Sequence, residues 1–172
     1  LQETLKNLYD GVTQADVNAA LIMSARTMVE KEPNYSYVTA RILLNNIENE
    51  VLGFLGIDLA KKSDRKEMYK EALVKTFEKG IELDFLNKEL LSFDLEKLQD
   101  AIDEKRDFNF TYLGLQTLYD RYFITSEDTR YELPQVFLMR VAMGLAVNEE
   151  KKTDRAVEFY KLLSSFDYMS ST

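Results

Sequence analysis

The sequence predicts an all-α fold: an irregular bundle of about seven to nine helices with one small β-hairpin near residues 122–132. Three observations lead there. Only two prolines and six glycines occur in 172 residues, so few positions interrupt a helix. Apolar residues recur at three- and four-residue spacing nearly throughout, the pattern of helices with one buried face. That period changes once, at Tyr122.

Each element follows from local signals. Leu5, Leu8 and Tyr9 end a first helix, closed by the turn dipeptide Asp10-Gly11. Thr13 caps a second helix, with Asp16 in the acidic position of a capping box. Val17, Leu21, Ala25 and Met28 follow at helical spacing, and Glu32-Pro33-Asn34 breaks the run. A third helix runs from about Tyr35 to Leu55, with Val38, Ile42 and Leu52 assigned to its buried side; Gly53 and Gly56 loosen its end. Ser63 or Asp64 caps a fourth helix, Arg65 to Lys79, with Met68, Ala72, Leu73 and Phe77 inward and Gly80 as its stop.

Asn87 to Leu91 reads as a short helix or turn. Asp94 caps a helix in which Leu95, Leu98 and Ile102 face inward. Phe108 to Tyr122 is rich in aromatics, with Tyr112, Leu115 and Tyr119 in helical register. The polar stretch Ser126 to Thr129 then makes the turn of the hairpin. Pro134 suits the first turn of the next helix. From Val136 to Val147 that helix is apolar nearly all round, so Leu133–Asn148 is expected to be the most buried element, with Leu138 and Val141 in its core. Thr153 is the expected cap of the last helix, and Ala156, Phe159, Leu163 and Phe166 its core stripe.

Composition excludes much chemistry. The 22 basic and 30 acidic residues give a net charge of −8. A general nucleic-acid binder or a binder of anionic membranes needs clustered positive charge instead. The absence of Cys and His removes thiol nucleophiles, disulfides, Ser-His-Asp triads and His-ligated metals. No apolar run approaches the roughly 18 residues of a membrane span, and no secretory signal is seen, so a cytoplasmic location is expected. The chain starts at Leu1 and stops at Thr172, and is read as a piece of something longer.

The remaining candidates are weak as chemistry. The tyrosines lie mostly on helical stripes, which suits core packing more than radical or acid chemistry. Arg140, the one charge in an apolar helix, could grip an anion, but an ion pair with a nearby carboxylate suits it better. Glu48 with Glu50, and Glu149 with Glu150, could act as acid–base pairs, yet each sits among lysines or amides and reads as solvated surface. Gly53-Phe-Leu-Gly56 closes a helix and is no phosphate loop. The helix start at Thr13 could receive a phosphate, but such caps mostly bind their own side chain.

Longer stretches are more specific. Leu8-Tyr-Asp-Gly-Val-Thr13 with Tyr35-Ser-Tyr-Val-Thr-Ala-Arg-Ile-Leu-Leu44 resembles the second half of the ATP-cone module of ribonucleotide reductases. The stretches from Arg106 to Phe123, Glu132 to Ala146 and Phe159 to Thr172 resemble the N-terminal helical domain of their class I large subunit. The resemblance divides the chain into cone-like helices over 1–55 and the helical domain over 60–172, packed as one unit. It implies a piece of an enzyme that reduces ribonucleotides to deoxyribonucleotides by radical chemistry.

In that family the large subunit carries a ten-stranded α/β barrel with three active-site cysteines, none of which can lie in a chain without Cys. A separate small subunit supplies the radical through a metal cofactor, so no cofactor is expected in this chain. The implied partners are the remainder of the large subunit, a second large subunit in a homodimer, the small subunit and the ribonucleotide substrate. The cone-like part departs from its family: Asn18 stands where nucleotide-binding cones carry His, and Glu48 and Asn49 stand where they carry a basic residue. Adenine-nucleotide regulation through this segment is therefore not expected.

One site residue carries over. A Ser or Thr just after the last helix contacts the substrate diphosphate in the family, and Thr172 falls at that position. Its hydroxyl can donate to a phosphate oxygen. The competing reading is a non-catalytic acidic helical module that binds a protein partner. A Pro after Thr172, then a Ser-Cys within about two dozen residues, would favour the enzyme.

Overall fold

The computed structural model describes residues 11–168, and the expected first helix, like Thr172, lies outside them. Among the described residues there are seven α-helices, three short 3-10 turns and one two-stranded sheet. They are α1 (Gln14–Thr27), α2 (Tyr35–Leu55), α3 (Arg65–Glu82), α4 (Leu95–Ala101), α5 (Tyr112–Arg121), α6 (Pro134–Ala146) and α7 (Lys152–Ser164), with strands β1 (Thr125–Ser126) and β2 (Thr129–Arg130). The all-α class and the small hairpin are as the periodicity requires.

Several caps form as the sequence dictates. The Thr13 hydroxyl accepts from the Asp16 N–H at 3.2 Å, and the Asp16 carboxylate accepts from the Thr13 N–H at 3.1 Å, a complete capping box. Asp64 and Asp94 accept from the N–H groups of Glu67 and Lys97. The hairpin pairs Thr125 with Arg130 and Ser126 with Thr129. Its two loop residues, Glu127 and Asp128, both take positive φ (47° and 66°). That is the backbone of a type I′ turn, whose twist matches the strands, made without the usual Gly.

The chain divides into two compact units. The first takes residues up to Glu48 with Phe108–Tyr122; the second takes Asn49–Asp107 with Phe123 onward. In the first, Ala40, Leu43, Leu44 and Ile47 of α2 are buried, as are Phe110 and Leu115 at α5. In the second, α6 and α7 make the most extensive helix–helix contact, and α3 and α4 pack beside them. Met68, Ala72, Leu73 and Phe77 are fully buried there, as the stripe of α3 demands.

Some expectations are corrected. α3 runs through Gly80 to Glu82, because the absent Cβ leaves room for Leu86 to fold back. A Cβ at Gly80 would stand 2.5 Å from the Leu86 Cδ1. Val38 is 44% exposed, since the buried side of α2 is the 40/43/44/47/51 face. α6 is the most buried helix, with Leu138 inward, but Val141 is half-buried and Leu145 exposed. In α7 the buried set is Ala156, Tyr160, Leu163 and Ser164; Phe159 is half-buried and Phe166 exposed. Thr153 does not cap that helix. Its hydroxyl accepts the Asp94 N–H at 3.2 Å and ties α7 to the start of α4.

Candidate functional site

The second unit is organised around a buried carboxylate that has no local sequence signal. Asp107 lies within the 3-10 turn Glu104–Asn109, is its buried residue and is 2% exposed. Its Oδ2 accepts from Arg65 Nη2 at 2.7 Å and from the Tyr69 hydroxyl, both on α3. Its Oδ1 accepts from Gln135 Nε2 at 2.9 Å, on α6. Gln135 Oε1 in turn accepts the Tyr160 hydroxyl of α7 at 2.9 Å. That hydroxyl also accepts the Asp103 N–H at 3.0 Å. One hydrogen-bonded chain therefore joins three helices and a turn through the buried Tyr69, Asp107, Gln135 and Tyr160.

Burial pushes the Tyr160 phenol up to about 12, against the Asp103 N–H and the Ser164 hydroxyl, which pull it down. It stays neutral and able to donate. Asp107 itself is engaged by a guanidinium, a phenol and an amide, so it is a strut and not a general base.

A second buried carboxylate stands beneath the hairpin. Glu132 is fully buried; Arg140 Nε and Nη2 donate to its two oxygens at 2.5 and 3.0 Å. The Ile124 N–H donates to the same carboxylate at 2.8 Å. Arg140 thus makes the ion pair expected of it, and the guanidinium lies 5.3 Å over the Phe137 ring. Next to it, Tyr131 stacks on Phe54 at 5.0 Å. Its hydroxyl is buried and has no hydrogen-bond partner among the described residues. Burial first, then the Glu132 charge, pushes that phenol up to about 12.

In the first unit, α1 and α2 border an open groove of about 410 Å³ lined by Asn18, Leu21, Val38, Arg41, Ile42 and Asn45. Asn18 does not present a free amide to it. Its Nδ2 donates to Asn46 at 2.7 Å, and its Oδ1 accepts from Gln14 at 3.1 Å. Arg41 stands 5.6 Å over the Phe108 ring.

The other sequence candidates scatter. Glu48 is 3% exposed, which corrects its reading as solvated surface, because α2 turns that side inward. Glu50 is half-buried and accepts the Arg130 N–H at 2.7 Å, fastening the hairpin to α2. Asn49 is exposed and accepts from Lys62 at 3.0 Å. Glu149 and Glu150 are exposed, as expected. Among the described residues no three acidic side chains converge as metal ligands would. No helix there is long and apolar enough to cross a membrane.

Residues 108–172 match the family model described as the ribonucleotide reductase all-alpha domain. These residues belong to that family. Over 96% of its length the chain is 43% identical to the ribonucleoside-diphosphate reductase subunit alpha of Chlamydia trachomatis. It is 34% identical over 95% of its length to the subunit alpha of Helicobacter pylori. Over 99% it is 26% identical to the large subunit of Plasmodium falciparum. The chain spans 16%, 19% and 20% of those three relatives. The all-alpha domain as matched includes the hairpin, the Glu132–Arg140 pair, Gln135 and Tyr160.

Proposed function

We propose that this chain is the N-terminal helical portion of a ribonucleoside-diphosphate reductase large subunit, an enzyme that makes deoxyribonucleotides for DNA synthesis. The observation that carries this is the 43% identity over 96% of the chain to a reductase subunit alpha. The portion acts as scaffold. Its buried struts at Asp107 and Glu132 fix α6 and α7, and α7 leads the chain toward Thr172. Catalysis belongs to the remainder of the large subunit, which is cytoplasmic, pairs as a homodimer and receives a radical from a separate small subunit that holds the metal. This chain has neither the Cys nor the His such chemistry would draw on, and its part is binding and placement.

Thr172 makes the chain's one substrate contact, donating its hydroxyl to the diphosphate. A single hydrogen bond to a charged group contributes roughly 1.5–3 kcal/mol in a dry site. In the assembled enzyme, Thr172→Val should raise KM for a ribonucleoside diphosphate by about tenfold, since the contact is present in ground and transition states alike. Thr172→Ser keeps the hydroxyl and should leave KM near the parent value. An unchanged KM for the valine variant would remove the contact from the account.

A further inference from the structure

α6 is enclosed along one half and open along the other. From Pro134 to Met139 every residue is buried. Beyond Arg140, Ala142, Met143 and Ala146 stay buried, but Val141 is half-buried and Gly144 and Leu145 are exposed, Leu145 by 60%. Val141, Gly144 and Leu145 are spaced i, i+3 and i+4, so they share one side of the helix. A surface helix normally turns charged residues to water. α3, in the same unit, does so: its exposed residues are Lys66, Glu67, Glu78 and Glu82. The two exposed residues of α6 carry no polar side chain at all.

Gly144 lies inside the helix, where glycine is less stable than alanine because it gives up more backbone freedom. At Gly80 the missing Cβ admits Leu86. At Gly144 a Cβ would meet no atom of the described residues within 4 Å, so no neighbour among them uses the space. A bare stretch of backbone beside a projecting leucine lets a second packed element come close. The helix that presents them is held in place, with Arg140 paired to Glu132 and Gln135 bonded to Asp107.

We propose that the Val141–Gly144–Leu145 side of α6 is a docking surface for the remainder of the large subunit, an apolar element of which packs against the backbone at Gly144 and covers Leu145. The inference rests on the reading of the chain as part of a reductase large subunit. Two observations choose this occupant. The chain spans 16%, 19% and 20% of the three relatives, so the greater part of each is polypeptide outside its length. The surface also lacks the charges that steer a partner which comes and goes, and apolar faces of this kind belong to contacts that stay formed, as those within one polypeptide do.

The test is hydroxyl-radical footprinting of the full large subunit at a concentration where it is monomeric, with each side chain's oxidation rate divided by its intrinsic reactivity. Leu138, on the same helix and 8% exposed, is the buried reference. Leu145 should be oxidised as slowly as Leu138. A rate several-fold above that of Leu138 would overturn the inference. So would protection that appears only when the subunit dimerises, or only when the small subunit is added, since the face would then belong to that partner. Gly144→Leu probes the close approach and should lower the thermal midpoint of the full subunit by several degrees. On an open face the same change only replaces glycine with a better helix former, so an unchanged or higher midpoint would also overturn the inference. Turnover of a ribonucleoside diphosphate by the same preparation, once the small subunit is added, separates the two claims. With turnover, an open Leu145 removes the docking surface and leaves the reductase reading standing. Without turnover, the reductase reading falls and takes with it the occupant named here.

Discussion

Replacing Asp107 by alanine should destabilise the second unit more than any exposed substitution. The carboxylate is buried and accepts from three donors: Arg65, Tyr69 and Gln135. Tyr69 is 1% exposed and Gln135 fully buried, so neither finds water when the acceptor is gone. Each unsatisfied buried group costs about 1–3 kcal/mol. The Arg65 side chain is 21% exposed and recovers part of its hydration, so its share is smaller. The total is about 3–5 kcal/mol, the range for breaking a buried pair by removing one partner. Asp107→Asn keeps the volume and one acceptor oxygen but turns an NH₂ toward a donor, and should cost roughly half as much. Urea denaturation of the 172-residue chain, followed by circular dichroism, reads both changes. Asp100→Ala, which removes the 60%-exposed partner of Lys70, is the control and should have far less effect. An Asp107→Ala variant no less stable than that control would refute the strut.

Three further outcomes are expected. Tyr131→Phe should leave stability unchanged or raise it by up to about 1 kcal/mol, because it removes a buried hydroxyl with no partner among the described residues and keeps the stack on Phe54; a clear loss in the same urea assay would contradict that. The thermal midpoint should be flat from about pH 6 to about pH 9 and fall on both sides. Hydrogen bonds and charges from Thr13, Lys61, Lys70 and Lys97 hold Asp16, Glu71, Asp100 and Asp154 below their ordinary values of 3.8 to 4.5, so that stability is present above those values and lost as pH falls through the lowered ones. Lys61, Lys70 and Lys97 are raised above 10.5 by Glu71, Asp100 and Asp154, so their contribution is present below 10.5 and lost as pH rises through the raised values; with no His in the chain, a slope inside the plateau would overturn the reasoning. Neither ATP nor dATP should bind the 172-residue chain at micromolar concentration, given Asn18, Glu48 and Asn49 at the positions that the resemblance to a cone would assign to nucleotide contacts, and an Asn18 amide already engaged at both ends; saturable heat in calorimetry would contradict this.

What the sequence made legible was local. Thr13 with Asp16, Asp64 and Asp94 announce helix starts because a cap is a contact over three residues. The bounds of α2 follow from Pro33 on one side and Gly56 on the other. Arg140 was readable as an ion pair because Glu132 lies eight residues away, two turns along the same segment. Asp107 was not, because its partners are 42, 38 and 28 residues distant. Ser164 was missed for a related reason: a serine looks like surface until the carbonyl of Tyr160 and the guanidinium of Arg106 satisfy it inside. Phe159 and Phe166 look like core, but Tyr160 takes the buried position because its hydroxyl has two partners there. Thr172 came from family resemblance alone and lies outside the described residues.

The full large subunit, assembled with its small subunit, a reductant and a ribonucleoside diphosphate, is assayed for deoxyribonucleotide, beside the 172-residue chain given the same additions. Turnover is expected from the full subunit and none from the 172-residue chain, which has no Cys. No product from the assembled full subunit, or product from the 172-residue chain alone, would contradict it.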